Sequence, residues 1–282
     1  MCVIYYTDPV FYYTHLIFGI FSLLGSFAII LCYFSSYKRK VLSFYLIFNL
    51  AIAQFFVTLE FILPISLDSQ MVVCKTLAVI TNSCQLVSLV WITYIAVNIY
   101  QVVTGNVFFF DKHKVFWTLV AWVGVPLVNC IPLITGSYNR IGRTCSFSMD
   151  FVGDMERLIL FYIPSWIMLL LTIACYIQIF MKINRFELEA TYKRILIRLS
   201  MYPLILGINI MLFTFLRLSY YLFEPCTTVL IEFISYTIIA LNGFFNFLIF
   251  ISTPGNSALM KLKKSNKEIL LEDYSDEFSL NN

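Results

Sequence analysis

Charge is scarce in this chain. Only 12% of its 282 residues are Asp, Glu, Lys or Arg, where an ordinary soluble domain carries roughly 25%. By contrast 60% are hydrophobic and 28 are phenylalanine. A soluble domain of ~300 residues buries only about 75% of its chain surface. That excludes water as the solvent for so much apolar surface and points to lipid. Histidine is nearly missing: His15 and His113 stand far apart, which excludes a hydrolase built on clustered zinc ligands. No catalytic residue, metal or cofactor is expected, and the chain reads as a non-enzyme. The net charge of +3 is too small to argue for nucleic acid. No Asn-x-Ser/Thr sequon, internal repeat or low-complexity tract occurs.

What is present is a set of long charge-free stretches. Residues 9–37, 41–59, 76–110, 115–139, 158–181, 199–216 and 233–260 contain no Asp, Glu, Lys or Arg. A helix needs about 20 apolar residues to cross the hydrocarbon core. Helices are therefore predicted at 10–35, 42–64, 74–103, 114–135, 158–182, 199–222 and 229–251. The stretches lack the alternation of a membrane barrel. The expected fold is an all-α membrane protein, a seven-transmembrane helix bundle.

Orientation follows from the basic residues. With the N-terminus outside and the C-terminus cytoplasmic, 14 of the 19 Lys and Arg fall in inner loops and four in outer ones, with Arg217 in the sixth stretch. The positive-inside rule favours that arrangement. The N-terminal tail of about nine residues has no basic region, so the first span is expected to act as its own insertion signal. Residues 1–260 form the predicted helical domain, ending in a short amphipathic helix over Asn256–Lys264 on the inner leaflet. Residues 261–282 form a cytoplasmic tail with the acidic end Glu272, Asp273, Asp276 and Glu277, a composition that favours disorder.

Cys74 tops the third span and Cys145 lies in the second outer loop. Both face an oxidising space, where disulfides persist. A bridge between them would pin the loop over the bundle mouth; the alternative is two unpaired thiols. A second bridge, Cys2 to Cys226, stays open. At the inner side, Phe109 sits among three phenylalanines at the start of the fourth span. Lys193, Arg194 and Arg198 lie where the fifth and sixth helices run out of the membrane. These residues form either a rim facing lipid head groups or a docking surface for a cytoplasmic partner.

Polar residues inside the spans usually face the bundle interior. Asn49, Asn98 and Asn246 each lie roughly 9–12 Å from the inner ends of their helices at 1.5 Å per residue. An internal network of Ser26, Asn49, Gln54, Asn98, Asn242 and Asn246 is expected, serving either as helix glue or as a switch. A second group lies in the outer half: Glu60, Asn82, Gln85, Tyr162, Trp166, Arg217 and Glu232. Ionised groups at that depth imply a wet cavity, which makes these the candidate ligand-binding residues. Arg217 would either pair with Glu232 or hold an anionic ligand.

Seven spans, an outside N-terminus, a cysteine atop the third helix and basic inner loops resemble a G-protein-coupled receptor. The second span reads Asn49-Leu50-Ala51-Ile52-Ala53-Gln54, with Gln where the rhodopsin-like class has Asp. The third has no acidic-Arg pair, and the seventh, Leu241-Asn242-Gly243-Phe244-Phe245-Asn246, has no Asn-Pro-x-x-Tyr. Trp91 with Ile95-Ala96-Val97-Asn98-Ile99-Tyr100 resembles the cyclic-AMP-receptor-like family (class E). So do Trp122-Val123-Gly124-Val125-Pro126, Tyr202-Pro203 and Gly243 with Asn246. The resemblance implies an extracellular ligand of unknown identity, a heterotrimeric G protein inside, and the plasma membrane as location. No lysine falls between 229 and 251, which excludes an opsin with a retinal Schiff base on the seventh span. A small-solute transporter or channel is the alternative, although the broken midplane helices of transporters are missing.

Overall fold

The structure, a computed structural model, describes residues 8–35, 42–63, 71–104, 109–141, 144–185, 200–222 and 225–252. Within them lie seven helices long and apolar enough to cross a membrane, as the charge-free stretches predicted. They are α1 (Asp8–Ser35), α2 (Leu42–Ile62), α3 (Met71–Thr104), α4, α5, α6 (Met201–Leu222) and α7. Three are composite. α4 begins as Phe109–Leu119, passes through a π-helical stretch Val120–Gly124, and ends as Val125–Asn129 and Ile131–Thr135. α5 joins Phe151–Arg157, a π-helical stretch Leu158–Tyr162, and Ile163–Arg185. α7 consists of Pro225–Ala240 and Asn242–Ser252 with Leu241 in a turn between them.

Local chemistry explains these breaks. Pro126 and Pro132 have no N–H to donate, and each stands in the first turn of one of the short helices that end α4. Gly136 then closes the helix at φ 77°, a left-handed conformation that a side chain would strain. The prediction began α5 at residue 158 because the charge-free run stops at Arg157. The helix in fact starts seven residues earlier, because Asp150 caps it: its carboxylate accepts the Gly153 N–H at 3.2 Å and the Ser148 hydroxyl.

The bundle centre is α3. In its apolar window 78% of residues are buried, against 17% in α4, so α3 is surrounded by protein while α4 turns most of its surface outward. α3 packs against α2 and α5, and α1 against α2 and α7. Trp91, Leu46, Leu50, Val87 and Phe250 fill the interior. The α1–α7 contact is very close. The Gly243 N–H donates to Ser22 Oγ at 2.8 Å, and Ser22 Oγ meets Thr58 Oγ1 of α2 at 3.1 Å.

The described residues depart from the all-α expectation in one place. The loop between α4 and α5 is an antiparallel hairpin, β1 (Tyr138–Ile141) and β2 (Thr144–Phe147), in register Tyr138 to Phe147 and Arg140 to Cys145. Tyr138 is fully buried, its ring 5.0 Å from that of Phe147, and its hydroxyl donates to the Asn129 carbonyl at 3.1 Å. Burial pushes its phenol above the ordinary range. Cys74 and Cys145 are joined, with Cα atoms 5.3 Å apart. The bridge ties β2 to the start of α3 and holds the hairpin across that end of the bundle.

Candidate functional site

Beneath the hairpin lies a cavity of about 80 Å³. Asn82 and Gln85 of α3, Ser146 of β2, Arg157 and Tyr162 of α5, Arg217 of α6 and Tyr236 of α7 supply its polar surface. Phe147 of β2, Phe161 of α5 and Phe213 of α6 supply aromatic walls. Tyr162 donates its hydroxyl to the Phe213 carbonyl at 3.2 Å, which links α5 to α6 at the cavity wall.

Two guanidinium groups dominate the electrostatics. Arg157 is buried and donates to the carbonyls of Phe147 and Ser148, the latter at 3.4 Å. It also donates to Asp154 Oδ1 at 3.2 Å, one turn away on the same helix. Arg217 reaches from α6 and donates to the same Oδ1. One carboxylate oxygen therefore serves two cations. A buried arginine is tolerated when its donors are satisfied and its charge is matched. Here the backbone of β2 takes part of that load, so Arg157 also anchors the hairpin to α5.

A second cavity of about 40 Å³ lies deeper, lined in part by Gln54, Ser88, Asn209, Asn242 and Asn246. Gln85, Phe161 and Phe213 border both cavities. Asn209 Nδ2 donates to Asn242 Oδ1 at 2.9 Å. Gln54 Oε1 and Asn209 Oδ1 are buried without a hydrogen-bond partner among the described residues. The walls are largely apolar with a few carboxamides, and this volume holds at most two or three water molecules at about 15 Å³ each, placed at those polar groups.

Of the predicted ligand-binding residues, Asn82, Gln85, Tyr162 and Arg217 line the cavity beneath the hairpin, while Glu60, Trp166 and Glu232 do not line it. Trp166 packs against the apolar core instead. Sequence reasoning offered Glu232 as the partner of Arg217 and passed over Asp154, because it began the fifth helix at residue 158. Arg157 was missed likewise, counted as a loop charge; its four-residue spacing to Phe161 was the available signal.

The expected internal network divides. Gln54, Asn242 and Asn246 meet at the inner cavity. Asn49 turns to α4, where its Oδ1 accepts the Trp122 indole N–H at 2.9 Å. Ser26 lies buried at the α1–α7 contact, and Asn98 is half-buried on α3 and lines neither cavity. Matched depth did not bring Asn49, Asn98 and Asn246 together, because helix rotation decides which neighbour each carboxamide faces. Asn209, a polar residue within the sixth span, was the missing member. Lys193, Arg194, Arg198, Cys2, the side chains of Phe109 and Cys226, the amphipathic helix and the tail 261–282 lie outside what is described, and with them the Cys2–Cys226 pairing.

No protein-family model matches the chain. Over 199 residues it is 24% identical to a protein of Arabidopsis thaliana named "G-protein coupled receptor 1". That match takes in 66% of this chain, and the chain spans 60% of the length of the plant protein. The crystal structure of squid rhodopsin superposes with a TM-score of 0.72 at 16% identity, over 98% of this chain and 93% of the rhodopsin. With its seven apolar helices in that arrangement, the chain is a multi-pass membrane protein with a rhodopsin-like fold.

Proposed function

We propose that this protein is a G-protein-coupled receptor of the plasma membrane, with its N-terminus outside and its C-terminus in the cytoplasm. The hairpin-end cavity receives an extracellular ligand, and the opposite end activates a heterotrimeric G protein. One observation carries this reading. A polar cavity roofed by a disulfide-pinned hairpin shares Gln85, Phe161 and Phe213 with an amide-lined cavity at the α6–α7 contact. A ligand that shifts these three residues would bear directly on α6. The sequence motifs around Trp91, Trp122 and Gly243 support placement among cyclic-AMP-receptor-like receptors. Lys193, Arg194, Arg198 and Phe109 are the proposed coupling residues, and Asn98 joins the resting contacts of α3.

The agonist acts by preferring the state in which the inner end of α6 has moved outward. Converting a 1:99 equilibrium to 99:1 takes about 5.5 kcal/mol of differential binding. Pro203 and Gly207 mark the stretch where α6 bends at least cost. The test is a ligand screen on the receptor in nanodiscs, read by nucleotide exchange on a panel of G proteins. Spin labels at Arg198 and Gln101 report the motion, and their separation is expected to lengthen with agonist and G protein. Absent exchange across all G-protein classes, together with ion-dependent uptake, would replace the receptor with a transporter.

A further inference from the structure

We propose that the crevice between α2 and α4 at Lys114 binds the phosphate of an anionic phospholipid. Which leaflet supplies the lipid follows from the orientation proposed above; the binding itself does not rest on the receptor reading.

Two helices build the seat. The Lys114 ammonium of α4 lies 3.8 Å from the centre of the Tyr45 ring of α2, a cation–π contact. That ring is fixed from several sides. Thr118 donates its hydroxyl to the Lys114 carbonyl at 2.8 Å, so Tyr45 is the donor in the 2.9 Å bond between its hydroxyl and Thr118 Oγ1. Trp91 of α3 makes a T-shaped contact with the same ring, centroids 6.0 Å apart. One turn along α2, Asn49 donates to the Tyr45 carbonyl at 2.8 Å and accepts the Trp122 indole N–H. Tyr45 with Thr118 and Asn49 with Trp122 are thus two rungs between the helices, four residues apart on each.

The ammonium lacks a counter-ion. No acidic side chain among the described residues lies within ion-pair distance of Lys114. The tyrosine ring attracts the cation through its quadrupole and leaves the unit charge in place. An ammonium has three donors and no acceptor. The complement it requires is an anion that accepts hydrogen bonds, and a compact lysine charge suits phosphate.

Position identifies the source of that anion. Lys114 is the first residue of the apolar α4 span, Lys114–Thr135. Val115, Phe116 and Leu119, which follow it, carry exposed side chains that lipid chains cover. The ammonium therefore stands where hydrocarbon gives way to head groups, the level at which a lysine stem snorkels. A zwitterionic head group brings its own cation to the phosphate, whereas an anionic one does not. The site accordingly prefers the anionic lipid. A bound phosphate ties the lipid to the α2–α4 seam and stabilises the folded bundle by linkage.

The experiment uses the full chain in nanodiscs of phosphatidylcholine, with and without phosphatidylglycerol. Photo-activatable analogues of the two lipids are cross-linked in turn, and peptide mapping locates the label. The phosphatidylglycerol analogue is expected to label the start of α4 more strongly than the phosphatidylcholine analogue. Phosphatidylglycerol should also raise the unfolding temperature. Lys114→Gln is expected to lower labelling there by about fivefold, the loss of one basic residue near an anionic surface. Lys114→Arg should retain it. Lys182→Gln, at the end of α5, should leave labelling of α4 unchanged. Free inorganic phosphate should not displace the lipid.

Thermal unfolding monitors each variant. If Lys114→Gln does not fold, Lys114→Met, which keeps an apolar stem against Tyr45, takes its place. If neither folds, the selectivity between the two lipids on the wild type decides. The proposal is overturned if both lipids label α4 equally, or if a folded Lys114→Gln or Lys114→Met is labelled as wild type is. It is overturned too if Lys182→Gln lowers the labelling of α4 as much. Displacement by inorganic phosphate would mean a site for a free anion and would remove the lipid.

Discussion

Asn209 of α6 donates its side-chain N–H to the side-chain amide oxygen of Asn242 at the break in α7, 2.9 Å away. Both residues are buried, and the bond joins the two helices at the inner cavity. Measured bonds of this kind between membrane helices average about 0.6 kcal/mol. Leaving a buried group unpaired raises the cost to about 1–3 kcal/mol. Asn242→Ala is therefore expected to lower the unfolding temperature of the purified protein. A double-mutant cycle with Asn209→Ala should show a coupling of about 1 kcal/mol; strict additivity would mean that the bond contributes nothing.

The Cys74–Cys145 bridge closes a loop with a sequence separation of 71 residues. Its loss is expected to cost roughly 2–4 kcal/mol. The double Cys→Ser variant should unfold at a lower temperature and lose the hairpin over the cavity. Hydrogen exchange at β1 and β2 checks the second point, since these amides should become unprotected before those of α3.

Gly243 sits where α7 crosses α1. A Cβ there would meet Ser26 Oγ, Ser22 Oγ and, at 2.6 Å, the backbone oxygen of Ser22. Backbone cannot yield as a flexible side chain does. Gly243→Ala should destabilise the bundle by about 1–3 kcal/mol through overpacking. By contrast, Gly124→Ala, which meets nothing within 4 Å, should be tolerated. Equal unfolding temperatures for the two variants would contradict the tight crossing.

The Asp150 cap is pH-dependent. The Ser148 hydroxyl, followed by the Gly153 N–H, holds the Asp150 carboxyl below its ordinary value of 3.8. A depressed folded-state value means that the ionised cap favours the fold. That contribution is fully present above 3.8 and fades as pH falls through the lower folded value. Protection of the amides over Phe151–Arg157, measured against their intrinsic exchange rates, should fall below pH 3.8 in the wild type. In Asp150→Asn, which keeps a capping oxygen without the titration, that protection should not follow the same titration.

Much of the bundle was legible in the sequence, because length and absence of charge suffice to mark a span. The ends of α1, α2 and α6 fell within two residues of the predicted ones where the comparison is described. The start of α5 did not, since a charge was read as an end, whereas Arg157 is drawn inward by the carbonyls of Phe147 and Ser148, which no helical pattern reveals. The hairpin left no alternating signal long enough to notice. Depth along each helix was readable and so placed Asn82, Gln85, Tyr162 and Arg217 at one level. Rotation about each axis was not, which is why Glu60, Trp166 and Glu232 fell outside the cavity and Asn49 turned to Trp122.

The π-helical stretch Leu158–Tyr162 acts as a phase shift in α5. Gly153, Arg157, Phe161, Ser165 and Leu169 are all buried at a constant spacing of four residues. In a regular α-helix that spacing would drift by about 40° at each step. The wider turn absorbs the drift, so one stripe of the helix serves both the cavity and the packing below it. Deleting a single residue within the stretch would let it close into ordinary α-helical turns, so that the rotation lost with the residue, about 100°, is the rotation the wide turn had taken back. Ser165, Leu169 and Thr172 would then keep their buried face below Arg157. The same deletion in the regular helix beyond Ile163 has no wide turn to close and would swing Leu169 and Thr172 toward lipid.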